Sequence, residues 1–220
     1  MSYGTCFPLW RAVAPDWDAY VRAPFVTALA DGRLPRGAFL AYLAQDYLFL
    51  VHFARAWSLA VTKAGSLAEM RACSATVHAL LETEMRLHLD LCGRAGITPD
   101  ALAATAEAPQ NLAYTRYVLE AGYSGDFLDL LAALAPCVLG YGEIGARLLA
   151  GPHAPDYADW IATYGGADYQ ALCHGTAALI DNAVESRLGA GARDLPRWTQ
   201  LQDRFSTATR LEAQFWTLAG

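Results

Sequence analysis

Residues 36–63 read RGAFLAYLAQDYLFLVHFARAWSLAVTK, and Gly32-Arg33-Leu34-Pro35 stands in front of them. Ala and Leu dominate the stretch, and β-branched residues are scarce. No apolar/polar alternation of the strand type is sustained, so it reads as one long helix. Pro35 suits its start, because a proline in the first turn gives up only an amide that would be unpaired anyway. The same punctuation recurs along the chain. Gly65 and Ser66 stop this helix and cap a second over 67–94, which Gly93, Gly96 and Thr98-Pro99-Asp100 close. Further helices are expected over 101–106, 110–121, 126–149, 153–161, 168–188 and 195–218, separated by Pro109, Gly122, Gly151-Pro152, Gly165-Gly166 and Gly189. Several long helices on short connections, with no repeat and no long linker, predict an all-α bundle folded as a single domain over 1–220.

Composition narrows the class. The 220 residues are 55% hydrophobic and 17% charged, against a usual charged share of about 25%. Disorder and a small disulfide scaffold are excluded, since such a chain can bury enough apolar surface to outweigh its ordering entropy. The charge deficit calls for a large core, an oligomer interface or a membrane. The longest charge-free run, Leu130 to Gly142 between Asp129 and Glu143, falls short of the ~20 residues that span a bilayer. The N-terminal MSYGTCFPLWRAVAPDWD lacks a basic segment followed by an apolar one, so no signal peptide is expected. Five cysteines, odd in number and without a Cys-x-x-Cys pair, point to reduced thiols and a cytoplasmic location. A net charge of -6 with no basic cluster offers nothing to nucleic acid.

Three places have residues suited to chemistry. Asp46 lies in the middle of the first long helix, with Phe49 one turn along. It is part of a solvated stripe, a helix–helix ion pair with Arg55, or a carboxylate aimed into a bundle pocket, where an aromatic neighbour would suit a flat hydrogen-bonding heterocycle. Cys137 directly follows Pro136, which removes a helical hydrogen bond, and Tyr141 lies at i+4. A buried structural thiol is the alternative for any single cysteine. Glu212 has Phe215 and Trp216 at i+3 and i+4. A carboxyl held against aromatic surface has its charged form desolvated, which raises its pKa and suits acid/base work; an exposed Glu beside an Arg is the alternative. Tyr114, Tyr117 and Tyr164 read singly as core residues. Glu84 and His88 form an i, i+4 pair, but the Glu-x-x-His of di-iron bundles is absent, which favours a buried hydrogen bond over metal. Phosphate loops, Gly-x-Ser-x-Gly and His-Glu-x-x-His are absent too.

Taken together, FVTALADGRLPRGAFLAYLAQDYLFLVHFAR, LETEMRLHLDLCGRAGI, YTRYVLEAG, LAALAPCVLGYGEIG, WIATYGGADYQ and RFSTATRLEAQFW make the chain resemble the TenA family, the thiaminase II or aminopyrimidine aminohydrolase group. The order of these segments across nearly the whole chain carries the resemblance. It implies a haem-oxygenase-like all-α bundle, a homotetramer, and a branch without haem, metal or other cofactor. It implies hydrolysis of an aminomethyl-aminopyrimidine, or of thiamine, to the hydroxymethylpyrimidine in thiamine salvage. Cys137 then resembles the nucleophile, Asp46 the carboxylate gripping the ring's amino edge, and Glu212 the acid/base. Tyr141 resembles the residue positioning the thiol, and Tyr114 and Tyr164 resemble pocket tyrosines. Phe49 stands where many members have tyrosine, keeping a stacking surface without the hydroxyl. Cys137 groups the chain with the cysteine-type members. Two other readings compete: a metal-dependent oxygenase on the same bundle using Glu84 and His88, and a non-catalytic pyrimidine- or thiamine-binding protein.

Overall fold

The longest helix, 36–63, forms as its sequence predicts and is α4 in a computed structural model that describes residues 3–219. Before it come three short helices that the sequence reading does not place, α1 (Cys6–Val13), α2 (Trp17–Val21) and α3 (Pro24–Ala30). Each is too short to display a helical period, and prolines interrupt this stretch at positions 8, 15 and 24. After α4 follow α5 (Leu67–Ala79), a π turn (Leu80–Glu84) and α6 (Met85–Arg94). The Ser66 hydroxyl accepts from the Glu69 amide at 3.2 Å and caps α5 as expected. Then come α7 (Pro99–Ala103), two residues earlier than its expected start, and α8 (Pro109–Ser124). The chain continues through α9 (Phe127–Ala150), α10 (Ala158–Gly165), α11 (Ala167–Leu188) and α12 (Pro196–Phe215). A closing 3-10 turn covers Trp216–Ala219. No β-strand occurs among the described residues.

The centre of the bundle is α9. It packs against α2, α4, α8, α10, α11 and α12, so it has almost no solvent face. Its sequence explains this, since only Asp129, Glu143 and Arg147 of its 24 residues carry charge. Two helices, α4 and α9, are long and apolar enough to cross a membrane by length and composition, but the most apolar window of α9 is 94% buried inside the protein. The helix starts at a reciprocal cap. The Asp126 carboxylate accepts from the Leu128 and Asp129 amides at 2.8 and 3.1 Å, and the Asp129 carboxylate accepts from the Asp126 amide at 2.9 Å. The Arg197 guanidinium at the start of α12 bridges both carboxylates, at 2.8 and 2.6 Å. Pro136 does not end the helix, which runs on to Ala150.

The π turn has a sequence cause. Thr76, Leu80, Glu84, His88 and Cys92 are all buried and spaced by four. On a regular helix each step of four advances such a stripe by about 40°, so it would wind out of the core within two or three turns. The wide turn takes up one extra residue and holds the stripe on one face. Glu84 and His88 therefore both point inward. All five cysteines are buried thiols without a disulfide. One contiguous core includes them together with aromatic side chains from every long helix except the 67–94 segment.

Candidate active site

Four of the long helices bring the sequence-selected residues together in one buried cluster, and the space these side chains surround is the candidate chamber. Cys137 and Tyr141 lie one turn apart on α9, Asp46 and Phe49 come from α4, Tyr114 from α8 and Glu212 from α12. Tyr164 joins them from α10. The thiol and the two carboxyl groups singled out in the sequence are buried: Cys137 is 6% exposed, Asp46 3% and Glu212 2%. The alternatives of an exposed Glu212 and a solvated Asp46 are thereby overturned. Asp46 has no contact with Arg55. Its Oδ2 accepts instead from the Tyr42 hydroxyl at 2.9 Å and faces the His88 Nε2 at 2.7 Å.

That arrangement fixes the protons around it. The His88 Nδ1 lies 2.8 Å from the Glu84 carbonyl oxygen. A carbonyl only accepts, so Nδ1 carries a hydrogen. Burial pulls the imidazole pKa down, but the hydrogen bond and charge of Asp46, with the Glu84 carbonyl, outweigh it and hold it above its ordinary value. Tyr42 gives its single proton to Asp46. Its oxygen is then the acceptor for Tyr141, 3.3 Å away, and for the Trp160 indole N–H at 3.3 Å. The Tyr141 proton is thus spent on Tyr42, and the lone pairs of Tyr141 remain for the chamber. Because Oδ2 of Asp46 already serves two partners, Oδ1 is the oxygen left to a ligand.

Across the chamber, the Tyr114 hydroxyl donates to Oε1 of Glu212 at 2.8 Å. Burial pushes the Glu212 carboxyl up to about 8, the Asp46 charge adds to the rise, and the Tyr114 and Cys137 contacts only moderate it. Burial also drives the Cys137 thiol well above its ordinary range, and the carboxylates of Glu212, Glu84 and Asp46 add to that. At neutral pH the pair therefore rests as a thiol beside a carboxylic acid. Glu84 is likewise pushed up to about 8, by burial first and then by the Asp46 charge.

Aromatic rings make the remaining walls. Phe49 stacks on Tyr114 and Phe53, with centroids 5.0 and 5.1 Å away, and meets Phe215 edge-on. Tyr141 packs against Tyr164 at 5.0 Å and Trp216 at 5.5 Å. The Trp216 indole N–H is buried without a protein partner, which leaves a polar atom for a ligand, and the Tyr164 hydroxyl faces Glu84. Tyr117 is not part of this set; its hydroxyl donates to the Arg204 carbonyl. Sequence reasoning did not single out Tyr42, although Tyr42 and Asp46 are an i, i+4 pair. It read Glu84 and His88 as a pair, while the side-chain partner of His88 lies 42 residues away on α4.

The described part of the chain matches known proteins over nearly its whole length. The profile of the TENA/THI-4/PQQC family matches residues 10–219. An aminopyrimidine aminohydrolase of Halalkalibacterium halodurans is 35% identical over 214 residues, covering 96% of this chain and 93% of that protein. The enzyme of the same name from Bacillus subtilis is 30% identical over 209 residues, covering 94% and 86%. A crystal structure described as a TenA family transcription regulator from a Silicibacter species superposes with a TM-score of 0.97 at 57% identity, covering 99% of this chain and 97% of that one.

Proposed function

Since the chain belongs to the TENA/THI-4/PQQC family, we propose that it is an aminopyrimidine aminohydrolase of the thiaminase II type. It hydrolyses 4-amino-5-aminomethyl-2-methylpyrimidine to the 5-hydroxymethyl compound and ammonia, by way of a covalent bond to Cys137. The observation that carries this reading is the thiol–carboxylic acid pair of Cys137 and Glu212 in a sealed aromatic chamber, with Asp46 on the opposite wall. A flat, electron-poor ring fits between Phe49 and Tyr141, and Oδ1 of Asp46 accepts from its amino edge. Hydrogen bonding of that edge to a carboxyl group favours a protonated ring, a better electrophile.

The steps follow from the protonation states. As the Cys137 sulfur bonds to a ring carbon, its proton passes to ionised Glu212. Electrons from the ring amino group then break the exocyclic C–N bond, and Glu212 gives that proton to the departing nitrogen, which leaves as ammonia. Water adds to the methylene carbon and loses a proton to Glu212. The sulfur–carbon bond breaks, the ring regains aromaticity, and the thiol takes the proton back. The sum is one amine and one water in, one alcohol and one ammonia out. Tyr141, a turn from the sulfur, positions it, and Tyr114 holds the Glu212 carboxyl in place.

The test is ammonia release from the aminopyrimidine by wild type and Cys137→Ser. We expect a loss of at least about a thousandfold in kcat with substrate binding retained; undiminished turnover would overturn the covalent route. Running thiamine beside the aminopyrimidine, and scoring thiazole against ammonia release, identifies the preferred leaving group. The reading extends to one working domain over 1–220, to a cytoplasmic setting in keeping with five unpaired thiols, and to a homotetramer. Leu67 and Met70, exposed together on α5, are apolar surface for such contacts.

A further inference from the structure

We infer that His88 is a positioning residue: a buried imidazolium, clamped between the Glu84 carbonyl and Asp46, that fixes the direction of every hydrogen bond from Asp46 through Tyr42 to Tyr141. The Asp46–Tyr42–Tyr141 chain then presents acceptors to a ring, Oδ1 of Asp46 and the Tyr141 oxygen, and so favours substrates whose edge facing it carries donors. The inference rests on the aminopyrimidine reading for its choice of substrate, but not for the state of the imidazole.

The argument is geometric. His88 is fully buried and both ring nitrogens are engaged, Nδ1 with the Glu84 carbonyl at 2.8 Å and Nε2 with Oδ2 of Asp46 at 2.7 Å. A neutral imidazole with its hydrogen on Nδ1 would turn a lone pair from Nε2 onto a carboxylate. The two remaining choices place a proton between them, and it resides on the more basic nitrogen. The ionisable groups whose charge reaches the ring are Asp46 from α4 and Glu84 from its own helix. Glu84, raised to about 8, is mainly uncharged at neutral pH, so one cation meets one anion. A lone buried carboxylate would take up a proton and become a donor. Tyr42 would then be free to reverse, and Tyr141 would turn its hydrogen toward the chamber. The imidazolium closes off that alternative.

Two measurements test this. In the first, 15N shifts of the five imidazoles are recorded on the intact wild-type protein at about pH 7, where an unperturbed histidine is mostly neutral. His88 is expected to show two protonated nitrogens, and a neutral signature overturns the inference whatever the enzyme's substrate proves to be. In the second, His88→Gln keeps a donor toward Asp46 without the charge. Its KM for the aminopyrimidine should rise about tenfold, while an analogue lacking the ring amino group binds wild type and variant alike. In an Asp46→Asn background the same substitution should change KM by less than about twofold. Losses that multiply independently in the two backgrounds would mark His88 as a packing residue and sink the idea. Failure of wild type to release ammonia is a different result: it removes the function and leaves the nitrogen shifts to decide on the imidazolium.

Discussion

The carboxyl of Glu212 shows how far a single residue's surroundings set its chemistry. Exposed, it would be ionised throughout the neutral range; buried beside Cys137 it holds its proton up to about 8. The resting thiol–acid pair contains two protons, and in the proposed mechanism sulfur adds to the ring only after one has left. Activity should therefore rise with pH through about 8, because raising a carboxyl's pKa postpones its base form to higher pH. The pH profile of kcat/KM checks this: Glu212→Gln should lose about a hundredfold or more and flatten that limb. How this residue would behave was partly legible, since Phe215 and Trp216 follow it at helical spacing and announce an apolar setting. Asp46 was less so. Its spacing to Phe49 is visible in the sequence, but its buried partner His88 comes from another helix. Spacing along one chain segment registers neighbours one turn away and is blind to contacts across the bundle.

At the scale of elements, the close crossing of α9 and α10 decides where Tyr164 stands. Gly145 makes it possible. A Cβ built there would lie within 2.6 Å of the Tyr164 carbonyl oxygen and 2.5 Å of the Gly165 nitrogen. Backbone cannot rotate aside as a side chain can, so the helices would have to separate. Gly145→Ala should destabilise the fold by about 2 kcal/mol, the overpacking cost exceeding the ~1 kcal/mol of helix propensity gained. Denaturant unfolding measures this, and kcat/KM should fall alongside as Tyr164 moves away from Tyr141. The long helices were legible because Gly, Pro and Ser or Asp caps bracket each apolar run. Short helices α1 to α3 were not, having too few residues to express a period. The π turn left a trace that ordinary helical reading passes over, five buried positions in strict steps of four.

For the whole molecule, the buried acids act in concert on stability. Glu84 and Glu212 are both raised to about 8 and His88 is raised as well. A group whose folded pKa exceeds its unfolded one stabilises the fold at low pH and loses that contribution as pH climbs through the folded value. Asp129, Glu69 and Glu120 run the other way: burial at Asp129 is outweighed by Arg197 and the Asp126 amide, Arg187 holds Glu69 down, and Ser124 and then Arg204 hold Glu120 down, so they lose their contribution on acidification. The melting temperature should therefore peak near about pH 5 and fall by several degrees toward pH 8. Calorimetry across that range checks it, and Glu84→Gln should lessen the alkaline decline. The same burial governs timing. In the proposed reaction, with Cys137 6% exposed and Glu212 2%, a substrate ring reaches the sulfur only as the side chains and helices around it move aside. Every turnover therefore begins and ends with a breathing motion of the bundle, and the frequency of that motion is a ceiling that improved chemistry at sulfur cannot raise. An inhibitor shaped for the pocket meets the same barrier: its arrival would be slow however tight its grip, and once inside it would be slow to leave.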